Sequence, residues 1–340
     1  MNNKYPTVNY IGNKEKVADW IIDCFPISSG TILDLFCGGC SMSYELKNRG
    51  FTVLSNDALF SNFVLAKAII ENSNETLKKE DYAHIVIDEN IQKKTYERIK
   101  FLSEKVYFDD EVKELAYLIN VANEIPENKK YIFLSLLRRS MIRKIPYSRM
   151  NIKWEEIKKF RDEDYSYKKY GRYRHYHNIP FLEHINLNLG EYNDAVIKGK
   201  PGCRALCFDA LDCITNLNQK VDLIYLDPPY PSTMNNYNAF YGYFDRMFFN
   251  EIKIKLDLTD KKTFIANFKK LIASSIGKTK YIAISLNNKC YPSVEVLKNE
   301  LSDYIETSEI FEKEHVYKVT GKENKHTNYE ILLVCKLKEK

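Results

Sequence analysis

The stretch Thr31-Ile-Leu-Asp-Leu-Phe-Cys-Gly-Gly-Cys40 joins a short apolar run to a pair of glycines. An apolar run of this length that ends at turn residues is typical of a strand buried in a parallel sheet. Residues 41–49 then fit a helix closed by Gly50, residues 51–56 a second strand and residues 58–70 a second helix. This alternation of strands and helices predicts a parallel α/β sheet.

The same pattern returns late in the chain and is interrupted in between. Four further strands are predicted at residues 205–208, 221–226, 281–286 and 330–335, and one helix is predicted at residues 259–275. The interruption predicts helices at residues 93–105, 110–121 and 129–144, followed by a polar, tyrosine-rich segment at 146–180. We therefore expect residues 1–75 and 201–340 to form one discontinuous Rossmann-like α/β domain, with residues 76–200 inserted as a mainly helical domain.

Basic charge is concentrated in part of this insert. Residues 129–180 contain 15 Lys and Arg against 5 Asp and Glu, whereas the rest of the chain contains 36 against 41. Such a segment on an otherwise acidic chain is typical of a surface that binds a polyanion. Contacts to phosphates and base edges are expected from Arg138, Arg139, Arg143, Lys144 and Arg149. The alternative is a solvated, charge-balanced helical face.

The composition argues against several classes of protein. No apolar run reaches the length of a membrane span, and the first residues lack the apolar core of a signal peptide, so we expect a cytosolic protein. The eight cysteines are then thiols rather than a disulfide framework. Cys37 and Cys40 have the spacing of half a zinc site, but no clear second ligand pair accompanies them, so no metal is expected.

Two features, one after each of the first two strands, are typical of a site that binds a nucleoside. A glycine turn at Gly38, after the first parallel strand, lets a ligand approach the backbone, and the next helix points its amino end at that ligand. Asp57 ends the second strand about twenty residues later, where a carboxylate can accept hydrogen bonds from both ribose hydroxyls. The alternatives are a tight turn without a ligand and, for Asp57, a helix N-cap.

The most specific motif is Leu226-Asp-Pro-Pro-Tyr230, which follows an apolar run. Two prolines after a buried strand fix an extended turn and donate no hydrogen bonds. The carboxylate of Asp227 and the carbonyl oxygen of Pro228 can therefore accept both hydrogens of an amino group, and Tyr230 offers a flat face for a planar base. The alternative is a structural turn of the same composition.

These pieces, in this order, resemble the alpha-class N6-adenine DNA methyltransferases, the group that includes the bacterial Dam methylase. Tyr10-Ile-Gly-Asn-Lys14 is similar to the first segment of that family, and Asp34-Leu-Phe-Cys-Gly38 is similar to its cofactor turn. Asp57 follows, then the insert for target recognition, then the tetrapeptide Asp227-Pro-Pro-Tyr230. Cys207-Phe-Asp-Ala210 resembles the segment that contacts the adenine of the cofactor.

The resemblance implies a Rossmann-like methyltransferase that uses S-adenosyl-L-methionine and flips its target adenine out of the duplex. The implied cofactor-binding residues are Tyr10, Lys14, Asp34, Phe36, Gly38, Asp57, Asp209, Ala210 and Asp227, with Lys14 near the methionine carboxylate. The implied catalytic residues are Asp227, Pro228 and Tyr230. One departure is Cys40, which stands where the family turn usually has its second glycine, at the part of the turn that faces the methionine.

Double-stranded DNA is the expected partner, and a cognate restriction endonuclease is a second one in a restriction–modification system. A phage or solitary methylase is the other setting. The alternatives in function are an RNA adenine methyltransferase, which can use the same tetrapeptide, and a catalytically idle DNA-binding subunit. The large insert favours DNA as the substrate, and intact Asp227 and Tyr230 argue against an idle subunit.

Overall fold

A computed structural model describes residues 4–171, 173–231, 233–314 and 328–339. The chain divides into two compact units. The helical unit comprises Met1–Ile11, Leu59–Lys198 and Asn238–Glu251, and the sheet unit comprises Gly12–Ala58, Gly199–Tyr237 and Ile252–Lys340. None of the helices in the described ranges has the length and apolarity that crossing a bilayer requires.

Seven strands of the described residues form one sheet in the sheet unit. They are β1 (Thr31–Asp34), β2 (Thr52–Asn56), β3 (Arg204–Leu206), β4 (Val221–Leu226), β5 (Thr279–Asn287), β6 (Ile305–Glu314) and β7 (Tyr329–Leu337). Their order is β3-β2-β1-β4-β5-β7-β6. β7 is antiparallel to β5 and β6, and the other neighbours are parallel. The predicted α/β sheet is thereby confirmed.

The described residues also form thirteen α-helices. They are α1 (Ala18–Asp23), α2 (Ser41–Asn48), α3 (Phe60–Ala66), α4 (Glu89–Ile99), α5 (Asp109–Glu124), α6 (Glu127–Arg143), α7 (Trp154–Arg161), α8 (Glu163–Tyr170), α9 (Phe181–Asp194), α10 (Ala210–Thr215), α11 (Tyr237–Met247), α12 (Phe264–Ser275) and α13 (Val294–Glu300). Helices α3 to α9 all lie in the helical unit, so the expected mainly helical insert is confirmed.

The inner strands β1 and β4 are mostly apolar and buried because both faces of a parallel sheet are covered. Every residue of β1 after the first is buried, as is every residue of β4 except Asp222. The edge strand β6 was not predicted, because Ile305-Glu-Thr-Ser-Glu-Ile-Phe-Glu-Lys-Glu314 is largely exposed and has no apolar run. Charged residues suit an edge strand, since they discourage pairing with other chains.

The bounds of the helical unit differ from those predicted for the insert. Helix α3, expected with the sheet, belongs to the helical unit together with Asn238–Glu251. Asp245 from that later segment accepts hydrogen bonds from the N–H groups of Phe60 at 2.7 Å and Ser61 at 3.0 Å, and so caps the amino end of α3. The assignment of residues 76–200 to target recognition stays a prediction.

Candidate active site

The direction of strand order changes between β1 and β4, which are neighbours in the sheet unit. Asp34 of β1 lies opposite Tyr225 of β4, and the Leu35 N–H donates to the Tyr225 carbonyl oxygen at 3.1 Å. In open parallel sheets, ligands bind outside the carboxyl ends of the strands at such a switch point. Site residues are therefore expected in the segments that follow β1, β2 and β4.

Asp57 is bonded to the glycine turn that follows β1. Its carboxylate accepts a hydrogen bond from the Gly38 N–H at 2.9 Å, and the Cys37 N–H donates to the Asn56 carbonyl oxygen at 2.9 Å. Gly38 has a φ of 49° and Cys40 a φ of 63°. For a residue with a Cβ, a left-handed conformation costs roughly 1–2 kcal/mol. Cys40 nevertheless adopts it directly before α2, so the departure from glycine leaves a left-handed turn in place.

Asp34, at the end of β1, is buried. One carboxylate oxygen accepts a hydrogen bond from Ser43 Oγ at 2.6 Å, and the other has no hydrogen-bond partner among the described residues. Burial raises the pKa of Asp34 to about 7, and the charges of Asp227 and Asp57 add to the rise while Ser43 opposes it. Three carboxyl groups, each at or after the end of a different strand, therefore form one acidic region.

Asp227 directly follows β4 and lies in a cluster with Lys14 and Glu330. The Lys14 Nζ is 3.4 Å from Asp227 Oδ1 and 3.1 Å from Glu330 Oε1. The Glu330 side chain is 0 % exposed, whereas that of Asp227 is 23 % exposed. Burial raises the pKa of Asp227 to about 6, with Lys14 opposing the rise and Glu330 adding to it. The predicted contact of Lys14 with a methionine carboxylate stays a prediction.

Tyr230, the tyrosine of the tetrapeptide, lies in the core of the sheet unit. Its ring is 4 % exposed and packs against Phe264 with a centroid distance of 5.5 Å. Its hydroxyl donates to the Ser285 carbonyl oxygen at 2.8 Å, and burial raises its pKa well above the usual value. Pro228 is buried as well. Core packing encloses the ring in this structure, and the stacking face expected at Tyr230 stays a prediction.

Asp209 and Ala210 stand at the amino end of α10. The Asp209 carboxylate accepts hydrogen bonds from the N–H groups of Leu211 and Lys255, each at 3.0 Å, so both of its oxygens have partners within the protein. The structure thus gives Asp209 the role of a helix N-cap. The predicted cofactor contacts of Asp209 and Ala210 stay predictions.

The side chain of Asn56 ties the ends of three strands together, a role that sequence reasoning missed. Its Nδ2 donates to the carbonyl oxygens of Leu35 and Phe208, each at 3.1 Å, and its Oδ1 accepts from the Phe208 N–H at 3.1 Å. The segments after β1 and β3 are thereby fixed to β2. Phe36, a predicted cofactor residue, is half-buried beside Leu35.

Tyr10 lies in the helical unit, where it stacks on Tyr241 with centroids 5.1 Å apart. Arg138 of α6 is 1 % exposed, and its guanidinium lies 6.0 Å and 5.6 Å from these two rings. It also donates to the Val8 carbonyl oxygen at 3.4 Å and to Asn62 Oδ1 at 3.1 Å. This internal packing contradicts the DNA contact expected of Arg138. The predicted cofactor contact of Tyr10 stays a prediction.

Two further basic residues from the end of α6 are buried. The Arg139 guanidinium lies over the Tyr192 ring, 5.9 Å from the ring centre. Its Nη1 lies 3.5 Å from a carboxylate oxygen of Glu191. The Lys144 Nζ lies 2.8 Å from Glu111 Oε1. Both side chains are enclosed by the helical unit, which contradicts the phosphate contacts expected of them, since a phosphate must be met at the surface.

Arg143 and Arg149 are half-buried and keep part of their side chains at the surface. The Arg143 guanidinium lies 3.8 Å from the centre of the Tyr176 ring. The Arg149 guanidinium lies 5.8 Å from the rings of both Tyr147 and Phe240. Their predicted DNA contacts stay predictions, because their placement is compatible with them but does not test them.

Glu330 was also missed as a site residue, although the sequence carries a signal for it. Tyr329-Glu-Ile-Leu-Leu-Val334 places one acidic residue in an otherwise apolar strand, and a charge in a buried strand requires a partner.

Within the described ranges, no group of three or more His, Cys, Asp or Glu side chains is arranged to hold a metal ion.

The sequence is similar to known proteins along nearly its whole length. A family model described as D12 class N6 adenine-specific DNA methyltransferase matches residues 10–324. A protein named Type II methyltransferase M2.HphI, from Haemophilus parahaemolyticus, is 43% identical over 338 residues, which cover 98% of this chain and 99% of the relative. The similarity therefore includes both the sheet unit and the helical unit.

Proposed function

This chain belongs to the D12 class of N6 adenine-specific DNA methyltransferases, and we propose that it takes its methyl group from S-adenosyl-L-methionine bound at the carboxyl ends of β1 and β2. The product is adenine methylated on its N6 amino group in DNA. The observation that carries the proposed site is the placement of Asp227. This partly exposed carboxylate follows β4, precedes two prolines and lies between Lys14 and Glu330.

The residues at this edge of the sheet fit the proposed cofactor. S-adenosyl-L-methionine carries a cationic sulfonium and an ammonium group, and the acidic region of Asp34, Asp57 and Asp227 is complementary to both. One oxygen of the buried Asp34 has no hydrogen-bond partner among the described residues, which suits a donor from a ligand. When bound, the cofactor supplies an electrophilic methyl group. We assign its further contacts to Lys14, Phe36, Gly38, Asp209 and Ala210.

Asp227 and the carbonyl oxygen of Pro228 accept the two hydrogens of the adenine amino group in the proposed mechanism. With both hydrogens held, the nitrogen becomes more pyramidal and its lone pair is aligned for transfer. Positive charge develops on that nitrogen, ionised Asp227 stabilises it, and the nitrogen then loses one of its two protons to give the neutral methylated base. The base must leave the duplex to reach these groups, because its amino group is inaccessible inside the helix.

We place the DNA contacts of the helical unit on residues 146–178. This segment presents exposed rings, which are those of Tyr147, Tyr167, Tyr170 and Tyr173. Arg174 lies 4.3 Å and Lys169 lies 5.5 Å from the centre of the Tyr170 ring. Rings combined with cations are typical of surfaces that bind nucleic acid. Arg143 and Arg149 are the phosphate contacts that we retain from the sequence.

We also propose a restriction–modification setting, in which a cognate endonuclease cuts DNA that this enzyme has not methylated. The support is the relative that is named a Type II methyltransferase. DNA from cells that express the chain should then resist an endonuclease of the same specificity. Cleavage of that DNA by every endonuclease encoded beside the gene would contradict this setting.

A direct assay tests the reaction. The purified chain, given methyl-labelled S-adenosyl-L-methionine and, in parallel reactions, ribosomal RNA or duplex DNA from a methylation-free host, should form N6-methyladenine in the DNA, identified by mass spectrometry of the nucleosides. Label appearing only in RNA, or in no nucleic acid, would contradict the proposed activity.

A binding experiment tests the cofactor site. Asp57→Ala removes the carboxylate assigned to the ribose, and hydrogen bonds to a charged group contribute about 1.5–3 kcal/mol, which corresponds to roughly 10- to 150-fold in affinity. Calorimetry should therefore show weaker cofactor binding by Asp57→Ala, while the exposed control Asp303→Ala binds as the wild type does. Equal affinity in a folded Asp57→Ala protein would remove the ribose assignment.

A further inference from the structure

Strand β7 contributes a charged group that the proposed reaction does not use directly. Glu330 is the second residue of β7 and lies opposite Asn287 of β5. Its side chain is fully buried, and its Oε1 lies 3.1 Å from the Lys14 Nζ. A buried carboxylate is costly unless it is paired with good geometry. The Glu330–Lys14 pair is therefore a specific arrangement that needs an explanation.

Lys14 links Glu330 to the candidate catalytic carboxylate. The same ammonium lies 3.4 Å from Asp227 Oδ1, so it is shared between two acids. The backbone N–H of Lys14 donates to Ser41 Oγ at 3.0 Å, at the start of α2. The lysine is thus held at its backbone and at its ammonium, and this ammonium connects Glu330 to Asp227.

We propose that Glu330 is a positioning residue for methyl transfer, which shares the charge of Lys14 and so keeps Asp227 available to the adenine amino group. The proposal rests on the function proposed above for Asp227. Without the Glu330 carboxylate, the Lys14 ammonium is no longer shared between two acids and is drawn more strongly to Asp227. The ion pair then competes with the amino group for the same oxygen, and the carboxylate is turned away from the reacting nitrogen.

The charges around Asp227 fix the direction of the expected pH effects. The groups that interact with it are Lys14, Glu330 of β7, Asp34 of β1, Tyr225 of β4 and Tyr230. Burial raises the pKa of both tyrosines well above the usual value, so they remain neutral. Lys14 lowers the pKa of Asp227 and does so more strongly than Glu330 raises it. Removing the Glu330 charge should lower this pKa, and removing both charges should raise it.

Two variants test the proposal through these opposite shifts. Glu330→Gln and the double variant Lys14→Gln/Glu330→Gln are compared with the wild type in the pH dependence of kcat/KM for duplex DNA, at saturating cofactor. Glu330→Gln should lower kcat by about 10- to 100-fold, as misplacement of a reacting group does, and move the acid limb to lower pH. The double variant should move the acid limb to higher pH. Glu330→Asp, which keeps the charge, should recover part of the rate.

Controls separate positioning from a merely structural role. Ile331→Val, the next position on β7, loses packing without changing a charge and should keep the wild-type acid limb. If Glu330→Gln does not fold, the double variant still decides, because it leaves neither charge unpaired. Wild-type acid limbs in the folded variants would overturn the proposal. A wild-type enzyme that does not methylate DNA would instead contradict the proposed function, so the two failures are distinguishable.

Discussion

Each unit of the molecule buries a cluster of charged side chains, and the two clusters differ in charge balance and in their effect on pKa. In the sheet unit, one ammonium, that of Lys14, is shared by the carboxylates of Asp227 and Glu330. Burial and the second carboxylate raise the pKa of Asp227 to about 6 despite Lys14. Since Asp227 is also the partly exposed member, this cluster presents a carboxylate that can accept a new partner.

In the helical unit the ratio is reversed. The Glu111 carboxylate accepts hydrogen bonds from Lys144 at 2.8 Å and from the Arg161 Nη1 at 2.6 Å. Burial acts to raise the pKa of Glu111, but the two cations outweigh it and the pKa is lowered. Arg161 also donates to the His177 carbonyl oxygen at 2.7 Å. This cluster connects α5, α6 and α7 and is enclosed, so a buried lysine–carboxylate pair is not by itself a site. Charge balance and exposure decide its role.

The largest effect on stability should come from breaking the enclosed cluster of Glu111, Lys144 and Arg161 in the helical unit. Glu111→Ala leaves Lys144 and Arg161 buried without their carboxylate, and removing one partner of a buried ion pair typically costs about 3–5 kcal/mol. Chemical denaturation should show a loss of this order in the free energy of unfolding. As a control, Glu97→Ala breaks an exposed ion pair with Lys100 and should leave stability nearly unchanged. A loss no larger than that of the control would contradict a scaffolding role for the cluster.

The next largest effect should be on the methylation rate, and it should come from the cluster of Lys14, Asp227 and Glu330 in the sheet unit. Asp227→Ala removes the group that stabilises charge on the reacting nitrogen, and loss of one such contact typically lowers kcat by about 100- to 1,000-fold. The melting temperature should stay near that of the wild type, because Asp227 is partly exposed and Lys14 keeps Glu330 as a partner. Steady-state methylation and thermal melting together check this. Activity lost only through unfolding would make Asp227 a structural residue.

The pH dependence of the wild type measures the same group without a mutation. Transfer needs Asp227 ionised, and the pKa of this carboxyl is raised to about 6. The rate should therefore be full above that pH and fall as the pH drops through it. An acid limb near the ordinary pKa of an aspartate would show that burial and Glu330 do not act on Asp227 as inferred.

Much of the sheet unit could be predicted because its signals are local. β1, β2 and β4 are short, mostly buried runs followed directly by turn residues, and the site residues Gly38, Asp57 and Asp227 stand at those turns. β6 could not be predicted, because an edge strand needs no continuous apolar run. Glu330 was missed because its partner Lys14 lies near the other end of the chain, and local sequence does not indicate the pairing.

The helical unit was harder to predict for a related reason. The excess of basic residues indicated a polyanion-binding segment, but a count of charges does not tell which side chains point inward. Arg138 is buried by partners that are distant in sequence, among them Tyr10 and Tyr241. Helices α7 and α8 lay in a segment without a clear period, because few of their residues are buried.

The smallest effect should come from the Tyr230→Phe variant, since Tyr230 shares the tetrapeptide with Asp227 but belongs to the core of the sheet unit. Tyr230→Phe removes only the hydroxyl that donates to the Ser285 carbonyl oxygen, and a typical hydrogen bond contributes about 0.5–1.5 kcal/mol net. The free energy of unfolding should fall by about that amount, and the methylation rate should stay within a few-fold of the wild type.

Tyr230→Ala should instead lower the free energy of unfolding by about 3–5 kcal/mol, because it leaves a cavity in the core beside Phe264. If the ring stacks on the flipped base, Tyr230→Ala keeps its stability and loses about 5- to 150-fold in DNA affinity, as base stacking on an aromatic ring contributes about 1–3 kcal/mol. Measuring the melting temperature and the DNA affinity of the same two variants therefore shows whether, within the tetrapeptide, Asp227 serves the chemistry and Tyr230 serves the core.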